Sequence, residues 1–423
     1  MRIQNTQSWR SFPLRLLLVA ALLIAATDLS AQVRSVEVPM AGKSSSSTFS
    51  DAIDAGDYVY ISGQGGQRPD GSIPAKFEEQ ASQALENIKA IVEAAGLSMK
   101  HVVYVQVYLQ DVNNYEALNT IFAKYFPTTP PARAVLGVTR VSESFIVINA
   151  VAARDLSGRV AVFPPNYKSS EPFSPGILTQ DRLFISAMQG RDPLSGSVPE
   201  DSALQTDIAL DGLKSVVEAA GLKLDNMVFV NPYLTQKIST RVMNEHYARR
   251  FEFGNTPARA TIEVAALPHD AQIEYTGVAV RDLSLRRAIR PKNMPPSPTA
   301  SPCVFAGDTL YCSAKSGFIP GPHGGVYGNS TAIQLRQTMR NQLDNLEEAS
   351  MDFSQVVSTT VYLDNISDSD SFTKVYAEYF KAPLPAQTVV QQLPPTSESP
   401  DAQGHFPDLE QMSLIAVRPH PKN

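Results

Sequence analysis

Val92-Glu-Ala-Ala-Gly-Leu97, followed closely by Val103-Tyr-Val-Gln-Val-Tyr-Leu109, occurs again as Val217-Glu-Ala-Ala-Gly-Leu222 and Val228-Phe-Val-Asn-Pro-Tyr-Leu234. A looser third copy reads Glu348-Ala-Ser350 and Val357-Ser-Thr-Thr-Val-Tyr-Leu363. Each copy is followed by a related triplet, in order Pro131-Ala-Arg133, Pro257-Ala-Arg259 and Pro385-Ala-Gln387. Self-similarity at a nearly fixed spacing indicates tandem structural repeats. The sequence therefore predicts three copies of one unit.

Hydrophobic periodicity in the first copy predicts the elements of that unit. The apolar residues from Phe77 to Ala95 recur every three or four positions, as on one face of a helix, and Gly96 follows where a C-terminal cap is expected. The run Val103–Leu109 alternates, as a strand does. A hairpin around 55–57, a second helix over 115–126, and strands over 134–139 and 145–153 complete the pattern. The unit therefore reads ββαβαββ.

The order of these elements favours an α+β fold with a mixed sheet and helices on one face. The opposite face carries apolar residues such as Val59 and Ile61, so it must also be covered. Three sheets of this kind can cover one another around a shared axis. We therefore predict an intramolecular pseudo-trimer, with the sheets inward and the helices outward.

Composition and the amino terminus bound the setting of the protein. The 423 residues carry a net charge of −6, and this acidic balance argues against nucleic-acid binding. Arginines, the apolar run Leu16–Ala26 and small residues ending at Ala31 predict a cleaved signal peptide over 1–31, with an uncleaved anchor as the alternative. Proline-rich boundaries then divide the chain into units 32–157, 158–284 and 285–423. We expect an exported protein, periplasmic or extracellular, without membrane attachment after cleavage.

These landmarks resemble the Rid (reactive intermediate deaminase, YjgF-type) family. The most specific matches are Ile61-Ser-Gly-Gln64, Val92-Glu-Ala-Ala-Gly96, Val107-Tyr-Leu109 and Pro131-Ala-Arg133. The resemblance implies a chorismate-mutase-like fold, a trimer here contained in one monomeric chain, and ligand clefts between neighbouring units. It also implies cofactor-free hydrolysis of 2-imino acids to 2-keto acids and ammonia. A non-catalytic binder of small carboxylates and an interaction scaffold stay open as alternatives.

The resemblance places a carboxylate-binding arginine at Arg133 and at Arg259, where a guanidinium can pair bidentately with a carboxylate. The matching residue in the third unit is Gln387, and Lys315 could supply a replacement charge there or simply be solvated. Other candidates carried over to the clefts are Ser62, Gly63, Ser186, Phe49 and Phe173. The two serines could equally be ordinary strand residues whose hydroxyls are hydrogen-bonded to the backbone.

The acid that holds the attacking water in the family falls, by this alignment, on Asn149, Thr276 and Ser413. None of these is acidic, and a shift of two positions brings in Glu274 in the second unit alone. We therefore expect the water-handling group to be missing from all three units.

The cysteines and histidines are further candidates for structural or metal sites. Cys303 and Cys312 flank Gly307-Asp308, and a two-residue hairpin turn there would set the two thiols opposite each other. In an oxidising compartment a disulfide between them is expected. The histidines lack the spacing of a metal site, so we expect no metal.

Overall fold

The repeats in the sequence correspond to three similar units in a computed structural model, which describes residues 33–38, 49–165, 167, 171–292, 294–321 and 325–419. The predicted signal peptide lies outside the described residues. Among those that are described, none of the helices has the length and hydrophobicity needed to cross a lipid bilayer.

Each unit consists of a sheet and two α-helices. Unit 1 contains β1 (Arg34–Val36), β2 (Ala52–Asp54), β3 (Tyr58–Gln64), α1 (Phe77–Ala94), β4 (Val102–Leu109), α2 (Tyr115–Tyr125), β5 (Ala132–Gly137) and β6 (Ile146–Ala153). Unit 2 contains β7 (Val160–Val162), β8 (Gly176–Leu178), β9 (Arg182–Gln189), α3 (Ser202–Ala219), β10 (Met227–Leu234), α4 (Thr240–Ala248), β11 (Ala258–Arg259), β12 (Ile262–Glu263) and β13 (Ile273–Val280). Unit 3 contains β14 (Arg286–Ile289), β15 (Cys303–Ala306), β16 (Thr309–Ser316), α5 (Thr331–Glu348), β17 (Val356–Leu363), α6 (Ser369–Tyr376), β18 (Ala386–Gln391) and β19 (Glu410–Val417).

The three sheets share one topology. The strand orders are β1-β2-β3-β6-β4-β5, β7-β8-β9-β13-β10-β11 with β12 also on β10, and β14-β15-β16-β19-β17-β18. Each sheet is mixed, because the strand after the second helix (in unit 2, both β11 and β12) runs parallel to its neighbour, whereas the other pairs are antiparallel. The predicted ββαβαββ order is present, and a short extra strand opens each unit.

The long helix of each unit follows directly from its apolar stripe. In α1 the buried residues include Phe77, Ala81, Ala84 and Ile88, which are one helical turn apart and face the sheet. Gly96 ends this segment with a φ of +75°, and Gly221 does the same in unit 2. Glycine is favoured at such a position because its φ is positive. Ser350 takes the corresponding place in unit 3 with a φ of +57°.

Repeated hydrogen bonds join the units in cyclic order. Ser186 Oγ accepts from the backbone amide of Arg133 at 2.7 Å, Ser313 Oγ from that of Arg259 at 2.8 Å, and Ser62 Oγ from that of Gln387 at 2.8 Å. Unit 1 thus contacts unit 2, unit 2 contacts unit 3, and unit 3 contacts unit 1. This is the order of contacts that the predicted pseudo-trimer requires.

The sheet faces opposite the helices pack against one another. One buried cluster joins residues of all three units, among them Tyr108, Tyr233 and Tyr362. The hydroxyls of Tyr108 and Tyr362 lie 3.2 Å apart, and Tyr233 donates to Gln106 Oε1 at 3.4 Å. We call the small cavity of ≈ 100 Å³ beside these tyrosines the axial cavity. Sheets therefore face inward, and helices cover their outer faces.

The predicted hairpin of unit 3 has the expected register. Cys303 pairs with Cys312 across β15 and β16, and Gly307 turns the chain with a φ of +61°. The two cysteines form a disulfide, as predicted.

Candidate functional site

Arg133 stands at the start of β5, where unit 1 meets unit 2. Its Nη2 donates to Asn119 Oδ1 at 2.6 Å and to Tyr115 Oη at 3.2 Å. The guanidinium carbon lies 4.8 Å from the centre of the Phe122 ring and 5.1 Å from that of Phe173, distances at which a cation attracts a ring face. The side chain is buried, and its Nη1 has no hydrogen-bond partner among the described residues. An aromatic frame thus leaves one donor of a buried cation unused.

Glu274 lies on β13 of unit 2 and is fully buried. Gln189 Nε2 donates to its Oε2 at 3.2 Å, whereas Oε1 is unpartnered within the described part of the chain. Burial raises the pKa of this carboxyl to about 8, against the opposing effects of the Gln189 hydrogen bond and the Arg133 charge. The carboxyl is therefore mostly protonated at neutral pH.

Arg133 and Glu274 line one cavity of ≈ 650 Å³ between units 1 and 2, which we call the first cleft. The expectation that the acid is missing from all three units is therefore wrong. The acid of the first cleft comes from unit 2, and the arginine comes from unit 1. Two buried polar atoms without partners in one cavity mark it as a ligand site, because such groups are costly to leave unsatisfied.

A hydrogen-bonded network of Tyr115, Glu171 and His269 helps to orient Arg133. Tyr115 Oη donates to Glu171 Oε2 at 3.0 Å, and His269 Nε2 lies 2.8 Å from Glu171 Oε1. Burial alone would raise the pKa of Glu171, but hydrogen bonds and charge from His269, with help from Tyr115 and Arg133, lower it. Glu171 is therefore held as an anion, which directs the Tyr115 proton away from Arg133 and leaves the phenol oxygen to accept.

The residues first aligned with the family acid lie elsewhere. Asn149, Thr276 and Ser413 all line the axial cavity among the central tyrosines. Glu274 and Thr276 belong to the same face of β13, two positions apart, so the pattern of alternation cannot distinguish them. Glu274, two residues before Thr276, is the acid that lines the first cleft, whereas the three aligned positions line the axial cavity.

The second cleft lies between units 2 and 3 and keeps the arginine but not the acid. Arg259 Nη1 donates to Asn244 Oδ1 at 2.7 Å, and its guanidinium carbon lies 5.0 Å from the Tyr247 ring centre. Tyr233 and Tyr362 are equivalent residues of units 2 and 3. Because Glu274 pairs with Tyr233 and Gln411 pairs with Tyr362, Gln411 is the residue of unit 3 that corresponds to Glu274. The second cleft therefore keeps an arginine and has an amide in place of the acid.

The third cleft lies between units 3 and 1 and lacks both groups. Gln387 stands where the arginines do, and Val147, opposite Tyr108, stands where Glu274 does. A Cβ built on Gly63 would lie 2.8 Å from Val147 Cγ1 and 3.1 Å from Thr388 Cγ2. Apolar atoms from both units thus meet tightly here, and Gly63 provides the room for their approach.

The remaining candidates have the following places. Ser62 and Ser186 each donate to a backbone carbonyl, of Ser50 and Ser174, besides accepting from the neighbouring unit. They support the backbone of residues 387 and 133, which corresponds to the structural interpretation of these serines. Phe173 contacts Arg133, and Phe49 precedes the strand bridge between Ser50 and Ala386. Lys315 is half-buried on β16, whose Ser313 accepts from the Arg259 amide, so it lies on the strand that meets unit 2, and the expectation that it serves the third cleft is wrong. Burial lowers the pKa of its ammonium group.

The described residues contain no group of three or more His, Cys, Asp or Glu side chains that could hold a metal ion. Sequence reasoning missed Tyr115, Glu171, Gln189 and His269, which come from four separate segments. One signal was available, since Glu274 interrupts an apolar strand and an acid in such a place is costly.

Fold and site together define a class of protein: three α+β units in one chain with arginine-containing clefts between them. The family model described as Endoribonuclease L-PSP matches residues 42–154, 165–281 and 293–397. The chain belongs to this family, the one that the Rid resemblance indicated.

Relatives match one unit at a time. A RutC family protein of Pyrococcus horikoshii is 38% identical over 110 residues, covering 25% of this chain and 87% of that protein. The putative reactive intermediate deaminase TdcF of Escherichia coli is 35% identical, with 25% and 86% covered, and the 2-iminobutanoate/2-iminopropanoate deaminase of Dermatophagoides farinae is 34% identical, with 23% and 77% covered. The crystal structure of E. coli TdcF with bound serine is 32% identical, with 29% and 99% covered and a TM-score of 0.28.

Proposed function

We propose that the first cleft hydrolyses 2-imino acids to 2-keto acids and ammonia. The observation that carries this proposal is that Arg133 Nη1 and Glu274 Oε1 line one cavity and that neither has a hydrogen-bond partner among the residues that the structure describes. A 2-imino acid presents a carboxylate next to an electrophilic carbon. Its two ends match an anchoring cation and a carboxyl group that exchanges protons. The names of the mite and E. coli relatives agree with this chemistry.

Binding begins with the substrate carboxylate at Arg133. Nη2 is already held by Asn119 and Tyr115, so the guanidinium cannot rotate freely and Nη1 is directed into the cavity. A carboxylate oxygen accepting from Nη1 satisfies a buried donor, and charge-assisted bonds of this kind are stronger than neutral ones. Fixing the carboxylate also fixes the position of the imine carbon relative to Glu274.

Glu274 starts the reaction as a neutral acid, because its pKa is about 8. It donates its proton to the imine nitrogen, which makes the carbon more electrophilic. The resulting carboxylate takes a proton from water as the water oxygen bonds to that carbon and the C=N π electrons move to nitrogen. The product of this step is a carbinolamine, and Glu274 is again neutral.

The same side chain completes the turnover. Glu274 protonates the amino nitrogen, and its carboxylate then removes the hydroxyl proton. The C–N bond breaks with its electron pair leaving on ammonia, and the C=O bond of the keto acid forms. Imine and water are consumed, keto acid and ammonia are released, and Glu274 returns to its starting form. No metal or redox partner is needed for this balance.

A second function is favoured for the second cleft by its retained arginine. Arg259 is positioned by Asn244 and Tyr247 as Arg133 is by Asn119 and Phe122, but Gln411 cannot exchange protons as Glu274 does. We propose that this cleft binds small carboxylates without turning them over. The chain would then combine one hydrolytic cleft with one binding cleft.

The setting of this activity is also a proposal. We propose an exported, monomeric protein whose three units replace the subunits of a trimer. Two measurements test this, namely the presence of the mature chain in the extracytoplasmic fraction and a solution mass equal to one chain. A cytoplasmic location with an intact amino terminus would contradict the export, and a trimeric mass would contradict the monomer.

The activity is tested with imines made in the assay by an amino-acid oxidase, with catalase present. We expect release of keto acid above the rate in buffer, and retention of that rate in Gln387→Ala. Arg133→Ala changes the corresponding position of the first cleft and should strongly lower the excess rate at substrate concentrations below KM. A wild-type rate equal to that of buffer alone overturns the proposal, and equal losses in both variants contradict the assignment to the first cleft.

A further inference from the structure

The first cleft has a polar inner end and a largely apolar outer part. Arg133 and Glu274 form the inner end, and five residues contribute apolar surface farther along the same cavity: Pro164, Tyr167, Phe173, Leu194 and Ile208. A cavity of ≈ 650 Å³ lies within the range of about 300–1,000 Å³ found for drug-sized ligands. The methyl side chain of 2-iminopropanoate would leave most of it unfilled.

Charged side chains line the outer part as well, but they are already engaged. Arg191 Nε donates to Gly196 O at 2.7 Å, and Asp192 accepts from the amide of Ser195 at 2.7 Å. Asp211 is paired with Arg250 at 2.6 Å. A charged substrate side chain would compete with these interactions for the same side chains. An apolar side chain would not.

The outer apolar surface is exposed to a degree that calls for a ligand. Leu194 is 66% exposed at the rim, and Phe163, whose ring contacts that of Tyr167 at 6.3 Å, is 54% exposed. Covering such side chains with an apolar group is favourable in proportion to the area removed from water. The rim comes from the segment between units 1 and 2 and from the loop after β9, so it belongs to the first cleft.

We propose that the first cleft selects 2-imino acids with large apolar or aromatic side chains, and that Tyr167 and Leu194 are specificity-determining residues. This inference rests on the proposed function. In it the carboxylate lies at Arg133, the imine carbon beside Glu274, and the side chain extends along Phe173 toward the rim. The second cleft has Ala300 at the position of Phe173 and lacks this aromatic wall, whereas the third keeps a phenylalanine there, Phe49.

The test compares imines made from alanine, leucine and phenylalanine in the wild type and in Tyr167→Ala and Leu194→Ser. We expect kcat/KM for the phenylalanine imine to exceed that for the alanine imine by at least about tenfold. Each substitution should reduce this ratio several-fold, chiefly by lowering kcat/KM for the phenylalanine imine. Leu204→Ser, an exposed leucine on α3, is the matched control and should preserve the ratio.

The outcomes separate this inference from the proposed function. Hydrolysis of all three imines with the alanine imine preferred, or a ratio that neither variant changes, overturns the inference and leaves the function standing. If no imine is hydrolysed, the proposed function fails, and calorimetry with phenylpyruvate and pyruvate decides the selectivity. Tighter phenylpyruvate binding that Leu194→Ser weakens then supports the apolar wall, and binding of neither keto acid overturns it.

Discussion

The first and third clefts are built on the same backbone and differ in almost every group that could do chemistry. In both, a serine hydroxyl accepts a hydrogen bond from the backbone amide near the start of the edge strand. Ser186 accepts from Arg133, and Ser62 accepts from Gln387. Both also have a serine amide that donates to a proline carbonyl of the neighbouring unit, 3.2 Å from Ser174 and 3.3 Å from Ser50. The assembly of the units is therefore independent of the chemistry between them.

The clefts differ in the side chains at two equivalent positions of this shared backbone. The first cleft has Arg133 and Glu274 where the third has Gln387 and Val147, and the second has Arg259 and Gln411. A homotrimer repeats any substitution in all three sites, whereas a single chain with three units can change one cleft alone. The three clefts thus form a graded series, in which the others serve as controls for the first.

The largest expected effect comes from removing the acid. Glu274→Gln keeps the shape of the side chain and its neighbour Gln189 but cannot exchange protons, so we expect kcat to fall about a thousandfold. Binding of a 2-keto acid should persist, as calorimetry can show. Since Glu274 acts first in its protonated form, the wild-type rate should decline as the pH rises through about 8. The residual rate of the variant should lack this decline.

Glu410 provides the control for this experiment. It is buried in unit 3, bonded to Thr338, and burial likewise raises its pKa to about 8. A carboxyl whose pKa is raised on folding costs stability as the pH rises from about 4.5 toward 8, because the unfolded chain ionises more readily. Glu410→Gln should remove part of that pH-dependent instability and leave kcat intact. Equal loss of activity in both variants would mean that global stability explains the effect.

The arginines provide the next comparison. Arg133→Ala should raise KM for imine hydrolysis about a hundredfold, because the substrate carboxylate loses the charge-assisted hydrogen bond from Nη1. Arg259→Ala should leave hydrolysis unchanged and remove one of two binding sites in a calorimetric titration with a 2-keto acid. A hydrolysis rate that depends equally on both arginines would contradict the division between first and second clefts.

The elements of the fold were predictable because their causes are local. The helix from Phe77 and its glycine cap, and the hairpin that sets Cys303 opposite Cys312, depend on spacing and turn geometry within a few residues. The short opening strands of each unit were missed, since three or four residues carry too little periodicity.

The site was less predictable because it depends on relations between distant segments. Arg133 was identified from a motif, but its acid comes from another unit, and Glu274 and Thr276 share a strand face. Glu274 reaches the first cleft because it lies farther from the axis of the three units than Thr276 does. That distance depends on how the units pack together, so the sequence of a single unit does not reveal it. Glu171 and His269 approach Tyr115 from a linker and a loop, where spacing carries no information.

The shared backbone predicts a smaller and more uniform effect. Ser62→Ala, Ser186→Ala and Ser313→Ala each leave one buried amide and one buried carbonyl without a partner, so each should lower the free energy of unfolding by about 1–3 kcal/mol. Denaturant titrations at pH 7 measure this. Similar losses at all three positions would confirm a common structural role, whereas a loss of binding at Ser186 without a loss of stability would assign it to the ligand.

The smallest expected effect is also the sharpest test of the comparison. Gln411→Glu supplies the second cleft with the acid that it lacks, at the position equivalent to Glu274. In the otherwise wild-type chain the gain should stay below about twofold, since at best one working cleft becomes two. In a Glu274→Gln background the same substitution should restore hydrolysis from the residual level, and it should then depend on Arg259 instead of Arg133.

Restoration of hydrolysis should be partial, because the second cleft differs from the first in the residues around its arginine and its acid position. It has Thr240 and Ala300 where the first has Tyr115 and Phe173, so Arg259 lacks both the phenol that orients Arg133 and one of its aromatic walls. Gln411 Nε2 also lies 3.5 Å from Oδ2 of the half-buried Asp408, whose pKa burial raises to about 6. The pKa of a second carboxyl placed beside it would be raised as well. Activity that returns and is lost again in Arg259→Ala would show that an arginine and an acid from adjacent units suffice. No return of activity, with keto-acid binding intact, would assign the decisive contribution to the Tyr115–Glu171–His269 network.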